Sequence, residues 1–290
     1  MSFLYVILLL LVFSIIFLLI YRSLAEICNI YDKAFQVIKS DIVGQITPYL
    51  LFSSPFWIGI FYFFSKISRF SSSSHEQFLF ISIMACVLSG ALYLSMAGKV
   101  ILTAVTALNI MGQKAQGQGI MPIIKGKVLD GIAVCSLFFS LGFITIYFII
   151  PPVLFYICAG LSIPIILLEE EKTTKPVRET FSTLFRNLFF LIRLSLAGFL
   201  IMALLFINIV TGLYFIVGVL GFFHIIDSHS FALKLSSPRF IFFCSIITLM
   251  FFDFFWTIVH TVYFFHHSAN RSGKDLIIKL ENLTENEKQI

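Results

Sequence analysis

Long apolar runs recur along this chain, and the first of them, residues 3–21, holds nineteen residues without a charged side chain. As an α-helix rising about 1.5 Å per residue, such a run matches the hydrocarbon core of a bilayer. Six further runs predict spans at about 46–64, 78–99, 129–149, 153–168, 188–207 and 240–265. The predicted fold class is therefore all-α: a polytopic transmembrane helix bundle with about seven spans.

This pattern divides the chain into three parts. We predict an N-terminal transmembrane helix at 1–24, a six-helix membrane domain of three hairpins at 25–270, and a polar tail at 271–290. The first run is longer than the 7–15-residue apolar region of a signal peptide, and no positively charged segment precedes it. We therefore expect it to be retained.

Two segments alternate apolar and polar residues with the period of a helix and are predicted to lie along the membrane surface. The first is 25–44, whose apolar stripe is Ile27, Tyr31, Ala34, Phe35, Ile38 and Ile42. The second is 174–187, whose apolar stripe is Val177, Phe181, Leu184, Phe185 and Leu188.

The region after the sixth run is ambiguous. Residues 208–212 (NIVTG) interrupt the apolar pattern, and the apolar stretch 213–226 that follows is short for a crossing. We predict that residues 211–226 form a re-entrant or interfacial segment that does not cross the membrane. The alternative is a full crossing there, which gives eight spans.

Composition narrows the function classes. Apolar residues make up 59% of the chain and charged residues 12%, against about 45–50% and 25% in soluble domains. The net charge of +5 lies in short loops, so it indicates anionic headgroups and no nucleic acid. Five scattered cysteines form no metal or disulfide pattern. No phosphate-binding loop, zinc motif or nucleophile elbow is present, so we predict no catalytic residues, metal or cofactor.

Basic residues predict the orientation. Most of them fall in the segments that alternate spans place on one side, and Lys99 is counted there with the loop that follows the third run. The positive-inside rule then puts the C-terminus in the cytoplasm and the N-terminus outside.

Asp253 is the main candidate site residue, because it lies inside the last apolar run and a mid-bilayer acid costs about 2.5–3.5 kcal/mol on insertion scales. Asp253, Thr257 and His260 share one helix face at i, i+4 and i+7. They predict either a proton or cation relay or, in the interpretation we favour, an acid that holds helices together.

Four other charged residues are secondary candidates. Arg193, six residues into its run, is expected to snorkel to the headgroups or to pair with Asp253. Glu169, Glu170 and Glu171 end the fifth run, where acids are tolerated, and are expected to pair with nearby lysines or arginines or to bind a cation weakly.

Residues 163–196 carry a family resemblance. Pro164 before a span end, Glu169 at that end, and a surface segment running through Phe181 into the next span resemble bacterial YciC-type proteins. They also resemble the membrane domain of some glycerophosphodiester phosphodiesterases. Tyr263, followed by Arg271, Gly273, Asp275 and Leu276, is similar to the ending of that group. The resemblance implies six helices in three hairpins and a bacterial cytoplasmic membrane, and it implies no activity; no phosphodiesterase domain follows.

The sequence therefore predicts a multi-pass integral membrane protein of the bacterial inner membrane. The first functional hypothesis is a non-enzymatic envelope or membrane-homeostasis factor whose partners are membrane lipids and other membrane proteins. The second is a small-solute, ion- or proton-coupled transporter or channel that uses Asp253 and His260. The sequence names neither a substrate nor an oligomeric state.

Overall fold

The computed structural model describes residues 21, 24–67, 75–112, 123–145, 150–168, 176–223, 235 and 237–272. Most of the first predicted span and nearly all of the predicted polar tail lie outside these residues.

The described parts of the chain are helical and contain no strand. Their helices are α1 Leu24–Ser40, α2 Ile42–Ile67, α3 His75–Ile110, α4 Val128–Ile144, α5 Ile150–Leu168, α6 Pro176–Arg186, α7 Leu188–Phe222 and α8 Pro238–Ser272. Five of them (α2, α3, α5, α7 and α8) are long and apolar enough to cross a membrane, and α4 is a shorter apolar helix. The prediction of an all-helical fold is confirmed for the described residues, and the five candidate spans fit the predicted multi-span membrane protein.

The predicted interruption after the sixth run is wrong. Helix α7 continues from Leu188 to Phe222 through residues 208–212 without a break. In an apolar environment the backbone must satisfy its own hydrogen bonds, so a break costs more than keeping Gly212 in a helix. Residues 211–222 are continuous with α7, so within the described residues they form neither a separate re-entrant element nor a helix that turns back as an eighth crossing.

The predicted surface helix 25–44 ends earlier than the pattern indicated. Helix α1 stops at Ser40 and α2 begins at Ile42, because Asp41 caps α2: its Oδ1 accepts a hydrogen bond from the amide of Gly44 at 3.0 Å. The side chain of Gln45 reaches back and donates to the carbonyl of Val37 at 2.9 Å. Two helices joined by a capped bend therefore replace the single predicted helix.

The buried face of α1 matches the predicted stripe only in part. Ile27, Tyr31 and Ala34 are buried as expected, and Ile30 joins them. Phe35 is 52% exposed, so the apolar period overestimated the width of the packed face.

The chain divides into two compact units by its contacts. Unit 1 contains the described residues of 46–99 and 185–256, which include most of α2, the first two thirds of α3, and α7. In this unit α2 and α3 run antiparallel. The Ser95 hydroxyl donates to that of Ser53 at 3.1 Å, and Gly59 faces Leu88 further along.

Unit 2 contains the described residues of 25–45, 100–184 and 257–272. The ring of Phe138 in α4 packs against Phe155 in α5 and Phe181 in α6, with centroid distances of 6.5 and 5.4 Å. Lys127 donates to the Leu167 carbonyl at 3.0 Å and so binds the C-terminal end of α5, where helix carbonyls lack amide partners. The second predicted surface segment is a helix, α6, with Pro176 in its first turn.

Candidate functional site

Asp253 lies in unit 1 within a cluster of polar side chains, the Asp253 cluster, formed by Tyr49, Lys99 and Asp253. Lys99 Nζ lies 2.6 Å from Asp253 Oδ1. The Tyr49 hydroxyl donates to Asp253 Oδ2 at 2.9 Å and lies 3.1 Å from the carbonyl oxygen of Met250. Tyr49 is fully buried, and the two charged residues are each 7% exposed. The cluster joins three helices, α2, α3 and α8, through both oxygens of one carboxylate.

A close approach of α2 and α3 brings Tyr49 and Lys99 to the same place. A Cβ added at Gly98 would lie 2.9 Å from the Cβ of Phe52. The absence of a side chain at Gly98, the residue before Lys99, therefore allows α3 to lie close to α2. The Ser53–Ser95 hydrogen bond fixes the register of the two helices one turn away. Small residues at such crossings are typical of helix pairs in membranes.

Aromatic residues flank Asp253 in α8, and one of them contacts the Asp253 cluster. Phe254 lies against the ring of Tyr49, with ring centroids 5.3 Å apart. Phe252, the residue before Asp253, stacks against Trp256 and Phe199, with ring centroids 5.5 and 5.7 Å apart. Aromatic carbon solvates charge poorly, so either charge alone would be strongly unfavourable there. Each is tolerated because the other compensates it.

Lys99 was not predicted as a partner of Asp253. The low charge that continues to Met111 predicts that the third helix extends past Lys99 into the aqueous phase, and α3 does continue to Ile110 with Lys99 inside it. Lys99 forms the ion pair with Asp253, and its position as the membrane exit stays a prediction. From the sequence, Arg193 was the suggested partner of Asp253, because Lys99 stands at the end of the predicted third span and was counted with the loop that follows.

Thr257 and His260, the other members of the predicted face, lie in α8 and are buried, but they belong to unit 2. His260 packs directly against Gly160 of α5, at a point where a β-carbon would collide with the imidazole ring. The hydroxyl of Thr261 donates to the Thr257 carbonyl at 2.8 Å. The relay from Asp253 to His260 stays a prediction.

The other predicted site residues are Arg193, which the structure describes, and the three glutamates at 169–171, which it does not. Arg193 lies in the second turn of α7 and is partly buried, and both its snorkelling to the headgroups and its pairing with Asp253 stay predictions. Glu169, Glu170 and Glu171 lie outside the described residues. Among the residues described, no group of three or more histidine, cysteine, aspartate or glutamate side chains could hold a metal ion.

Comparison of the chain with protein-family models, with curated proteins and with solved structures found no match. The resemblance to YciC-type proteins therefore stays a prediction.

Proposed function

We propose that this chain is a non-enzymatic, polytopic protein of a bacterial cytoplasmic membrane that acts through contacts with lipids or other membrane proteins. In this proposal the N-terminus lies outside and the C-terminus in the cytoplasm. The membrane-spanning character rests on the five long apolar helices, and the rest of the proposal on two features of the described residues.

The Asp253 cluster carries the proposal. Both oxygens of the carboxylate already have protein partners, Lys99 on one and Tyr49 on the other. A carboxylate whose two oxygens each bind a neighbouring helix is well suited to joining helices, and fewer of its acceptor sites are left for a ligand. The arrangement therefore favours the interpretation in which Asp253 holds helices together.

Helices α1 and α6 support the contact function. In α6, Leu184 and Thr180 are buried, while Arg178 and Arg186 are exposed and Phe185 is 65% exposed. An exposed aromatic ring beside exposed arginines suits the boundary between acyl chains and anionic headgroups. In α1, Phe35 is exposed and lies between the exposed Lys33 and Lys39 in the sequence, so a second helix also combines an exposed aromatic ring with basic side chains.

Lipid binding by α6 can be tested on the purified full-length protein. We expect native mass spectrometry to detect retained anionic phospholipid, and we expect Arg178→Gln with Arg186→Gln to reduce the retained fraction several-fold. The matched control is Lys66→Gln, which removes a basic residue from the end of α2 that we place on the opposite face of the membrane. Equal lipid retention by all three proteins, together with no specific partner in cross-linking from native membranes, would contradict the proposal.

A proton- or ion-coupled transporter is the second candidate, and the buried charges of Lys99 and Asp253 favour it. A lysine and an aspartate in apolar surroundings can exchange a proton and become a neutral pair, which is a step that coupled transport can use. Reconstitution into vesicles with an internal pH-sensitive dye tests this. Proton movement that Asp253→Asn abolishes, and that Lys33→Gln leaves intact, would replace the first proposal with this one.

A further inference from the structure

Helix α7 has two different faces within unit 1. The residues that are partly buried recur at helical spacing along one face: Met202, Phe206, Ile209, Val210, Leu213, Val217 and Leu220. The opposite face is exposed along its whole length and is called here the Asn208 face: Leu204, Asn208, Thr211, Phe215, Val219 and Phe222. Phe215 and Phe222 on this face are 71% and 80% exposed.

Lipid acyl chains can cover the apolar residues of the Asn208 face, but they cannot hydrogen-bond to the side-chain amide of Asn208. Asn208 lies fifteen residues after Arg193 and fourteen before Phe222, in a stretch without a charged residue. It is thus near the middle of the part of α7 that a bilayer would cover. No hydrogen bond of its side chain is found within the described part of the chain. Hydrocarbon offers neither a donor nor an acceptor, so an amide left there is unfavourable.

We propose that the Asn208 face binds the same face of a second copy of this chain. A carboxamide carries both a donor and an acceptor, so it is complementary to itself. In a contact with twofold symmetry, residue 208 of one copy meets residue 208 of the other, and the two amides exchange two hydrogen bonds. Asparagine side chains on otherwise apolar helix faces hydrogen-bond across helices in membranes, which gives this face a specific partner contact.

Neighbouring residues fit this occupant. Thr211, one turn from Asn208, supplies a hydroxyl on the same face. Gly218, at the edge of the face, has open space where a β-carbon would lie, so a second backbone can approach closely there. The proposal goes beyond the proposed function, since it specifies a homotypic contact and does not depend on which lipids or proteins the monomer binds.

Dilution in vesicles tests the contact. Full-length protein is labelled with a donor or an acceptor dye, and energy transfer is measured as the lipid-to-protein ratio rises. We expect association of the native chain, about tenfold weaker association of Asn208→Leu, and near-native association of Asn208→Gln, whose amide is kept. The matched control is Ser89→Ala on α3, because that exposed hydroxyl already donates to the Ala85 carbonyl at 2.7 Å.

Disulfide cross-linking identifies the occupant. In a background with Cys28→Ala and Cys86→Ala, which removes the exposed cysteines of the described residues, Thr211→Cys should form a covalent dimer on oxidation. Ile209→Cys, on the opposite face of the same helix, should not. Equal association of the native chain and Asn208→Leu would overturn the proposal, as would a native chain that stays monomeric. A Thr211→Cys product joined to another protein or to another segment of the same chain would also overturn it.

Discussion

At the scale of single residues, Lys99 and Asp253 bear directly on the described structure, because each is buried and neutralises the other. A buried ion pair does not by itself stabilise a protein more than well-packed apolar side chains would. Removing one partner, however, leaves the other as an uncompensated charge. The pair therefore acts mainly by making alternative arrangements of α2, α3 and α8 unfavourable.

Replacing either charged residue alone should destabilise the protein. We expect Asp253→Leu or Lys99→Met to lower the free energy of unfolding by about 3–5 kcal/mol. The double variant should lose less than the sum of the two, because it leaves no unpaired charge. Tyr49→Phe should cost about 1 kcal/mol through the lost hydrogen bond. Denaturant titration of the protein in detergent micelles measures all four.

The control for these variants is Lys33→Met, which removes an exposed lysine of α1 and should change stability by less than about 0.5 kcal/mol. Strictly additive losses in the double variant would show that Lys99 and Asp253 do not interact, in disagreement with the structure.

The burial of Tyr31 leads us to predict that the protein loses stability at alkaline pH. Burial in α1 raises the pKa of its phenol well above the ordinary value of about 10. Since the folded state disfavours the phenolate, the contribution of Tyr31 to stability is complete below pH 10 and is lost as the pH rises further. We expect the native protein to lose more stability between pH 9 and 11 than Tyr31→Phe does. Parallel pH profiles for the two proteins would contradict this.

At the scale of helices, the hairpin of α2 and α3 depends on close contact between their backbones. Gly98 faces Phe52 on α2, whereas Gly90, two turns earlier on the same helix, has open space around it. The two glycines therefore separate the effect of interhelical packing from that of helix propensity, which favours alanine at both positions.

Gly98→Ala should lower the free energy of unfolding by about 1–3 kcal/mol, because the new methyl group forces α2 and α3 apart and strains the Asp253 cluster. Gly90→Ala should leave stability unchanged or raise it slightly. The measurement is again denaturant titration in micelles. Equal effects of the two variants would mean that the close approach at Gly98 is not needed for the fold.

At the scale of the whole molecule, the central prediction is the orientation in the membrane. With Cys28→Ala and Cys86→Ala as background, Ser272→Cys should react with an impermeant thiol reagent only after the cells are permeabilised. Lys66→Cys, at the predicted outer end of α2, should react in intact cells. Reaction of Ser272→Cys in intact cells would reverse the orientation while leaving the membrane-spanning character unaffected.

The sequence by itself determined the fold class and most element positions, because the length and period of apolar runs are local properties that lipid and backbone hydrogen bonding act on directly. Asp253 was also identifiable, since an acid within an apolar run is visible in one dimension. The tertiary structure alone decided what Asp253 contacts. Tyr49 and Lys99 lie about two hundred and one hundred and fifty residues before it, and no local pattern relates them.

The structure differs from the sequence prediction at the ends of two helices. The apolar period predicts that α1 continues to residue 44, but Asp41 caps the next helix and α1 ends at Ser40. Residues 208–212 predict a break, but α7 continues through them because its backbone must satisfy its own hydrogen bonds in apolar surroundings. Lys99 was not predicted as the partner of Asp253, because no local pattern relates the two residues. The packing of α3 against α2 and α8 supplies the countercharge that makes a buried lysine tolerable there.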